Sequence, residues 1–556
     1  MFLLRLLLIL LVLVSPARWA ADTVPGYAVA SAHPLATRAG LDLLAQGGNA
    51  FDAAIAVAAT LAVVEPQGSG LGGGGFWLLH RQSDGRDIML DGRERAPLAA
   101  RRDLYATAAQ SIDGALAAAI PGLPAALVQL ARDYGKLPLT ASLAPAIHHA
   151  RAGFPVGARY VKALTDRLTA LDASPAARAI FHPETTLPLP GDFLIQTDLA
   201  QTLERLAAEG FAGFYGGETA RKLVRGVRAA GGIWQMEDLT AYRVAERQPL
   251  RGHYRGFAIT TAAPPSAGGT GLIEMLNILS AYDLAALPLP ARRHLMVEAM
   301  RRAYHDREQY LGDPDFVGIP LLRLLSPNYA AGLRSTLRLD RATPSDGFSQ
   351  TKGPEPDGAN TSHYSILDSA GNRVAATLSI NYGFGSGFVA PGTGVLLNDE
   401  MDDFATRPGT PNVYGLIGGE PNAIAAGKRM LSSMTPTFVE SADATAIMGT
   451  PGGSRIVTML LLAVLDFADG HGPASWVGLP RFHHQYLPDV IEYEPGSLSD
   501  PDLRDLQQRG HRLKPLAAAY GDFHAILWNR KSRTLEAASD PRGEGLALVQ
   551  IKPPAQ

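Results

Sequence analysis

The chain has no cysteine in its 556 residues. That excludes disulfides, thiol nucleophiles and cysteine-ligated metal centres together. Charge is sparse as well: 19% of residues are charged, the formal net charge is −3, and Lys and Arg are spread along the chain. Nucleic-acid binding asks for a basic stripe, so no such partner is expected. Long apolar runs are missing except at the start, where MFLLRLLLILLVLVSPARWAAD carries one early Arg and an apolar stretch from Leu6 to Val14. The stretch is too short to span a bilayer and reads as a secretory signal over residues 1–21, ending at the small pair Ala20-Ala21. Arg18 or Trp19 at the −3 position makes the cleavage site imperfect, and an uncleaved anchor is the minor alternative. An exported protein, periplasmic or secreted, with no stable membrane span after signal removal, is the expectation. No group of residues has metal-ligand spacing; His483 and His484 are adjacent, and a strand would point them apart. No metal and no cofactor is expected.

What the chain does hold is enough apolar residue, 46%, for a large core. Residues 33–64 read as two Ala/Leu-rich helices joined at Gly47-Gly48. The next stretch, EPQGSGLGGGGFWLLHR, satisfies G-x-G-x-x-G literally at Gly68, Gly70 and Gly73. The dinucleotide fingerprint should follow a strand and open a helix, whereas here a helix precedes and the strand Phe76–His80 follows. Close backbone packing is the better reading. Phe76–His80 and Asp87–Leu90 form a hairpin. Helical patterns dominate from about 115 to 335, and Tyr254–Thr261 reads as a single strand. Later come Ala446–Ser454, a strand followed by a Gly-Gly turn, the helix Arg455–Ala468, strand-like pieces at Val490–Tyr493 and His524–Asn529, and a loop over Ala538–Gly545. Hairpins at both ends with helices between fit layered helices flanking antiparallel sheets, an α+β fold, better than a parallel series.

The most informative stretch runs from Asn360 to Asn381. A polar segment rich in Pro and Gly precedes it; then Thr361–Asp368 and Arg373–Asn381 read as two strands about a turn at Ser369–Asn372. Val374, Ala376, Leu378 and Ile380 point to one face, and Thr377, Ser379 and Asn381 to the other. A threonine at the mouth of a hairpin suits an N-terminal nucleophile. Cleavage between Asn360 and Thr361 would give one residue both a hydroxyl and a free α-amine. Such an amine titrates at about 7.7–8.0, so a useful fraction of it is an unprotonated base near neutral pH. The plainer readings are a strand-starting Thr and a glycosylation sequon, Asn360-Thr361-Ser362.

With its motifs set in order, HPLATRAGLDLLAQGGNAFDAA, EPQGSGLGGGGF, DGRERAP, PPSAGG, AYHDREQYLGDPDF, NTSHYS, LNDEMDDF, PNVYGL, KRMLSSMTPT, GTPGGSRI and ASDPRGEG, the sequence resembles the gamma-glutamyltransferase (gamma-glutamyltranspeptidase, glutathione hydrolase) family of N-terminal nucleophile hydrolases across essentially the whole mature chain. The resemblance implies an αββα sandwich with two central antiparallel sheets. It implies autocleavage before Thr361 into a large subunit, 22–360, and a small subunit, 361–556, that stay together as a heterodimer. It also implies the reaction, transfer of a γ-glutamyl group from glutathione or a related donor through Thr361 to water or to an amino acid or peptide amine.

By the same resemblance Gly452 and Gly453 form the oxyanion hole and Ser379, where many members carry Thr, supports the nucleophile. Arg93, Ser432 and Ser433 take the substrate α-carboxylate, while Asn381, Glu400 and Asp403 hold its α-ammonium. The stretch PGTPNVYGLIGG (408–419) resembles a lid, with Tyr414 as its covering residue. Ser362 likewise stands where a second Thr is common.

Rival readings are a glutaryl or cephalosporin acylase or a poly-γ-glutamate depolymerase of the same fold, and a processed but non-catalytic binding protein. An acidic Asp403 favours a substrate with an ammonium group over a glutaryl one. On this reading Thr361→Ala yields one polypeptide of full length on a denaturing gel and no turnover of a γ-glutamyl anilide; two fragments, or wild-type turnover, would contradict it.

Overall fold

The stretch AFDAAIAVAATLAVV has no polar face, and as the helix Ala50–Val64 it is buried along its whole length. Its start is specified locally. The Asn49 side chain accepts from the backbone N–H groups of Phe51 and Asp52, and Asp52 returns the bond to the Asn49 N–H at 2.8 Å. Asp52 also accepts from the N–H groups of Lys136 and Leu137, which ties a distant loop to the helix start. The computed structural model that provides these contacts describes residues 24–183, 186–345, 361–406, 412 and 414–551. The expected signal, residues 1–21, and Asn360 of the expected cleavage site lie outside them.

Two antiparallel sheets stack at the centre. The seven-stranded sheet runs Leu546–Ile551, Gly26–Ser31, Ser362–Leu367, Arg373–Ser379, Gly74–Arg81, Arg86–Gly92, Ala245–Arg247. The six-stranded sheet runs Thr534–Ser539, His524–Asn529, Ala444–Gly449, Thr437–Glu440, Phe257–Thr261, Leu250–Tyr254. Ala28, Ala30, Leu78, Ala375, Phe438 and Ile526 meet between them. This seam is tight: a Cβ on Gly449 would fall 2.1 Å from the His363 ring. The outer face of the first sheet carries the central helix and its neighbours, and that of the second carries Gly268–Leu279, Leu289–Tyr310 and Ile456–Ala468. The result is the αββα layering.

The period of two assigns the faces. Tyr364, Ile366, Val374, Ala376 and Leu378 enter the helical core, while Leu367 and Ala375 enter the seam. His363 Nδ1 lies 2.9 Å from Thr377 Oγ1 on the seam side, and burial pushes its pKa well down, so it stays neutral there. Trp77 Nε1 donates to the Tyr364 hydroxyl at 2.8 Å, and that hydroxyl donates to the Ala54 carbonyl, joining sheet to helix.

Two expectations change in detail, and the close packing expected of the glycine-rich stretch is present. Tyr254–Thr261 is not one strand but the joint of a hairpin, Leu250–Tyr254 with Phe257–Thr261, turning at Arg255 and Gly256 with φ of 47° and 85°. The expected loop Ala538–Gly545 is shorter, because Thr534–Ser539 and Leu546–Ile551 are strands on either side. The glycine-rich stretch is a close-packed crossing: a Cβ on Gly72 or Gly73 would lie 2.0 Å from the carbonyl oxygen of Leu396 or Ser379. Asp52→Ala should destabilise the protein by about 3 kcal/mol, since several buried N–H groups lose their acceptor. A lowered midpoint in denaturant titration checks this, and an unchanged midpoint would remove Asp52 from the framework.

Candidate active site

Strand pairing delivers the threonine. Ser362 pairs with Leu378, so continuing the antiparallel register by one residue sets Thr361 opposite Ser379. Their hydroxyl oxygens are 3.4 Å apart, and Ser379 Oγ accepts the Asn381 N–H at 2.8 Å. Asn381 leaves the strand with φ of 72°, and its side-chain amide donates to the Asp399 carbonyl at 3.1 Å. Next to Thr361, Ser362 Oγ donates to Glu65 at 2.5 Å, while burial pushes Glu65 up to about 7 against the pull of Arg159.

A narrow cavity opens on these groups and is lined also by Arg93, Asp403, Tyr414, Ser432, Ser433 and Gly453. Gly452 and Gly453 follow the strand Ala444–Gly449 with φ of 138° and 55°, and the helix Ile456–Ala468 begins directly after them. Both values favour glycine, and the turn presents backbone N–H groups at a helix start. Tyr414 lies across it. The Tyr414 hydroxyl donates to the Asn381 carbonyl at 2.7 Å, and a Cβ on Gly453 would come within 2.4 Å of its ring. Asn412 and Gln485 fix the Tyr414 backbone. Of the expected lid, residues 408–411 and 413 lie outside the described residues.

Ser432 and Ser433 sit in the segment that leads to Thr437–Glu440. The Ser432 N–H donates to the Pro265 carbonyl and the Ala267 N–H to the Ser432 carbonyl, so the PPSAGG motif is their support. Arg93 follows the strand Arg86–Gly92 and is 1% exposed. Its guanidinium donates to Glu400 at 2.6 Å, to Asp403 at 2.5 Å and to Glu94 at 3.3 Å. Burial disfavours the Arg93 cation, yet Glu400, Glu94 and Asp403 outweigh it and hold its pKa above the ordinary value. Desolvation lifts Glu94 to about 7 and Glu400 well above the usual carboxylate range, each opposed by Arg93. Burial thus favours protonation of Glu94 and Glu400, against the pull of the Arg93 guanidinium.

Glu400 departs from its expected place. It is fully buried beside Arg93 and is not among the residues lining the cavity, whereas Asp403 is. Sequence reasoning missed Glu94, Asp399, Asn412 and Arg307, although the motifs DGRERAP, LNDEMDDF, PNVYGL and AYHDREQYLGDPDF contain them. The adjacent histidines have separate partners: His483 Nδ1 lies 3.0 Å from Thr458, and His484 Nε2 lies 3.1 Å from Asp489. His294, Glu298 and His511 bring possible ligand atoms together elsewhere, but Glu298 already receives Arg301 and Arg302, whose charge opposes a cation.

An αββα sandwich with a threonine hydroxyl at the start of an inner strand, facing a Gly-Gly turn, defines an N-terminal nucleophile hydrolase. Comparison with known proteins narrows the class. The Gamma-glutamyltranspeptidase family model matches residues 36–550. The glutathione hydrolase proenzyme of Escherichia coli K12 is 40% identical over 92% of this chain and 90% of its own length. That of Pseudomonas sp. strain A14 is 42% identical over 94% and 93%. A cephalosporin acylase from Bacillus halodurans superposes with a TM-score of 0.83 at 29% identity, covering 95% of this chain and 96% of its own. The chain belongs to the gamma-glutamyltranspeptidase family of enzymes.

Gly453→Ala sets a methyl group into the Tyr414 ring at a φ that L-residues resist. We expect kcat to fall about 10²–10³-fold, as for loss of one oxyanion donor. Steady-state kinetics on a γ-glutamyl anilide measure it, and an unchanged kcat would take this turn out of the chemistry.

Proposed function

We propose that the chain is a self-processing gamma-glutamyltransferase and glutathione hydrolase, exported by its N-terminal segment. It is cut between Asn360 and Thr361 into subunits 22–360 and 361–556 that remain a heterodimer. The observation that carries the substrate assignment is the contact of Arg93 with Asp403 on the wall of the Thr361 cavity. A guanidinium beside a carboxylate is complementary to an α-amino-acid head group, whose carboxylate and ammonium can each exchange for one partner of that pair. Ser432 and Ser433 line the same wall and add donors for the carboxylate. Asn381 and Asp403 face the ammonium, with Glu400 acting from behind through Arg93.

In the proposed sequence the precursor's Thr361 Oγ attacks the Asn360 carbonyl, the acyl group moves from N to O, and water hydrolyses the ester. The freed α-amine then takes the Thr361 hydroxyl proton as Oγ attacks the γ-carbonyl of the donor. The backbone N–H groups of Gly452 and Gly453 receive the developing oxyanion. As the C–N bond breaks, the proton passes to the leaving amine, cysteinylglycine in the case of glutathione. Water or an acceptor amine then attacks the γ-glutamyl ester and restores Thr361. Ser379, 3.4 Å from Thr361 Oγ1, orients the nucleophile.

A glutaryl or cephalosporin substrate is the second reading, favoured by the structural likeness to the Bacillus halodurans acylase. A glutaryl group lacks the ammonium that Asp403 would meet. Asp403→Asn should therefore lower kcat/KM for glutathione by about 10²-fold or more, mostly through KM, since it leaves a buried charge without its partner. Unchanged glutathione kinetics, or a wild-type preference for glutaryl over γ-glutamyl anilides, would overturn the assignment.

A further inference from the structure

Nine arginines are buried in the described residues, and eight of them have a carboxylate oxygen within 3.4 Å. The ninth, Arg307, has none. It is 7% exposed, its Nε is buried without an acceptor, and its guanidinium makes no hydrogen bond or ion pair among the described residues. A buried cation without a counter-charge is costly, and a fold keeps one where something else supplies the anion.

Arg307 lines the same cavity as Thr361. It lies near the end of the helix Leu289–Tyr310, and one turn earlier the Tyr304 hydroxyl donates to the Ser454 carbonyl, which pins this helix face against the Gly453–Arg455 turn. Asp403 and Glu308 act on Arg307 only through space, and Asp403, the acid of the cavity wall, is already engaged: one oxygen receives Arg93 at 2.5 Å and the other receives the Asn412 amide at 3.0 Å. Leu416 and Ile456, which also line the cavity, bring no acceptor side chain. The cavity thus presents two guanidinium groups, of which Arg93 is matched by acids and Arg307 is open to an anion.

We propose that Arg307 is a specificity-determining residue that receives a carboxylate carried by the amine side of the scissile bond. In hydrolysis this is the carboxylate of the leaving peptide; in transfer it is that of the acceptor. Both sources share one chemistry and one subsite, because the acceptor enters where the leaving amine departs. The proposal rests on the γ-glutamyl transfer reading above. It adds to that reading an anchor beyond the γ-glutamyl head group, so that donors and acceptors are selected by their free carboxyl ends.

The test compares two chromogenic donors, γ-glutamyl-4-nitroanilide and γ-glutamyl-3-carboxy-4-nitroanilide, on the mature enzyme. In Arg307→Met the ratio of kcat/KM for the carboxylated over the plain anilide should fall about 10–100-fold, the worth of a hydrogen bond to a charged group. Arg307→Lys keeps the charge and should recover part of the ratio, which a merely structural role would not do. In the acceptor arm, with the plain anilide as donor, Arg307→Met should raise KM for glycylglycine but not for glycylglycinamide. A shift in either arm supports the proposal and names the source. Unchanged ratios in both arms, with fragments on a denaturing gel like those of wild type, would overturn it. Wild-type enzyme that cleaves neither anilide would instead refute the γ-glutamyl reading and the proposal with it.

Discussion

A strand has two faces, and a slip of one residue between Ser362–Leu367 and Arg373–Ser379 would exchange them. Thr361 would then turn from Ser379 toward the helical core, and His363 would leave the seam. Register is therefore the constraint on which the site depends. It is enforced from both sides. Tyr364, Ile366, Val374 and Leu378 fit the helical core, and the Tyr364 hydroxyl bonds to Trp77 and Ala54. On the seam side the gap between sheets is so small that Gly449 and His363 must oppose one another. Packing of ordinary apolar residues thus places a reactive hydroxyl to within a hydrogen-bond length of its neighbour.

Within that frame, the proposed substrate site is an electrostatic one. Around Arg93 the three carboxyls differ in what surrounds them. Glu94 and Glu400 are fully buried, desolvation raises both, and each keeps one oxygen without a partner. Asp403 is the one that lines the cavity, and Asn412 and Arg93 both donate to it. In the proposed reading, the Arg93 guanidinium would attract a substrate carboxylate while Asp403, on the cavity wall, would meet its ammonium. A cluster in which all three acids were ionised would repel that carboxylate.

Much of this was legible from residue patterns. Alternation in Arg373–Asn381 marked which side chains share the Thr361 face, and Gly47-Gly48 marked a helix stop; Gly452-Gly453 read only as a turn, its oxyanion role coming from the family resemblance. What escaped was long-range. Leu546–Ile551 is half-exposed at a sheet edge, and only its pairing with Gly26–Ser31, some 520 residues away along the chain, makes it a strand. Arg255-Gly256 lacks the usual Asn-Gly signature of a two-residue hairpin, so the turn was hidden inside an apparent strand. Glu400 and Asp403 sit on one short 3₁₀ turn, three residues apart, and nothing local says which meets the cavity. Arg307 looked like one more solvated charge on a helix because burial against another segment leaves no periodic trace.

The distribution of strands also bears on how such a site could survive a broken backbone. In the seven-stranded sheet, Gly26–Ser31 lies between Leu546–Ile551 and Ser362–Leu367, so a strand from before Thr361 is flanked by two from after it. In the six-stranded sheet, Phe257–Thr261 joins the earlier strand Leu250–Tyr254 to Thr437–Glu440 from after Thr361. Neither 24–345 nor 361–551 holds all of either central sheet or the whole cavity: Arg93 and Arg307 come from the first, and Thr361, Asp403 and the serine pair from the second. Separating them would break four strand pairings, three in the first sheet and one in the second, and expose most of the seam, at a cost far above what one peptide bond contributes to holding the chain together. A cut before Thr361 would therefore change the chemistry of one nitrogen and leave the architecture in place, which is the condition an N-terminal nucleophile requires of its fold.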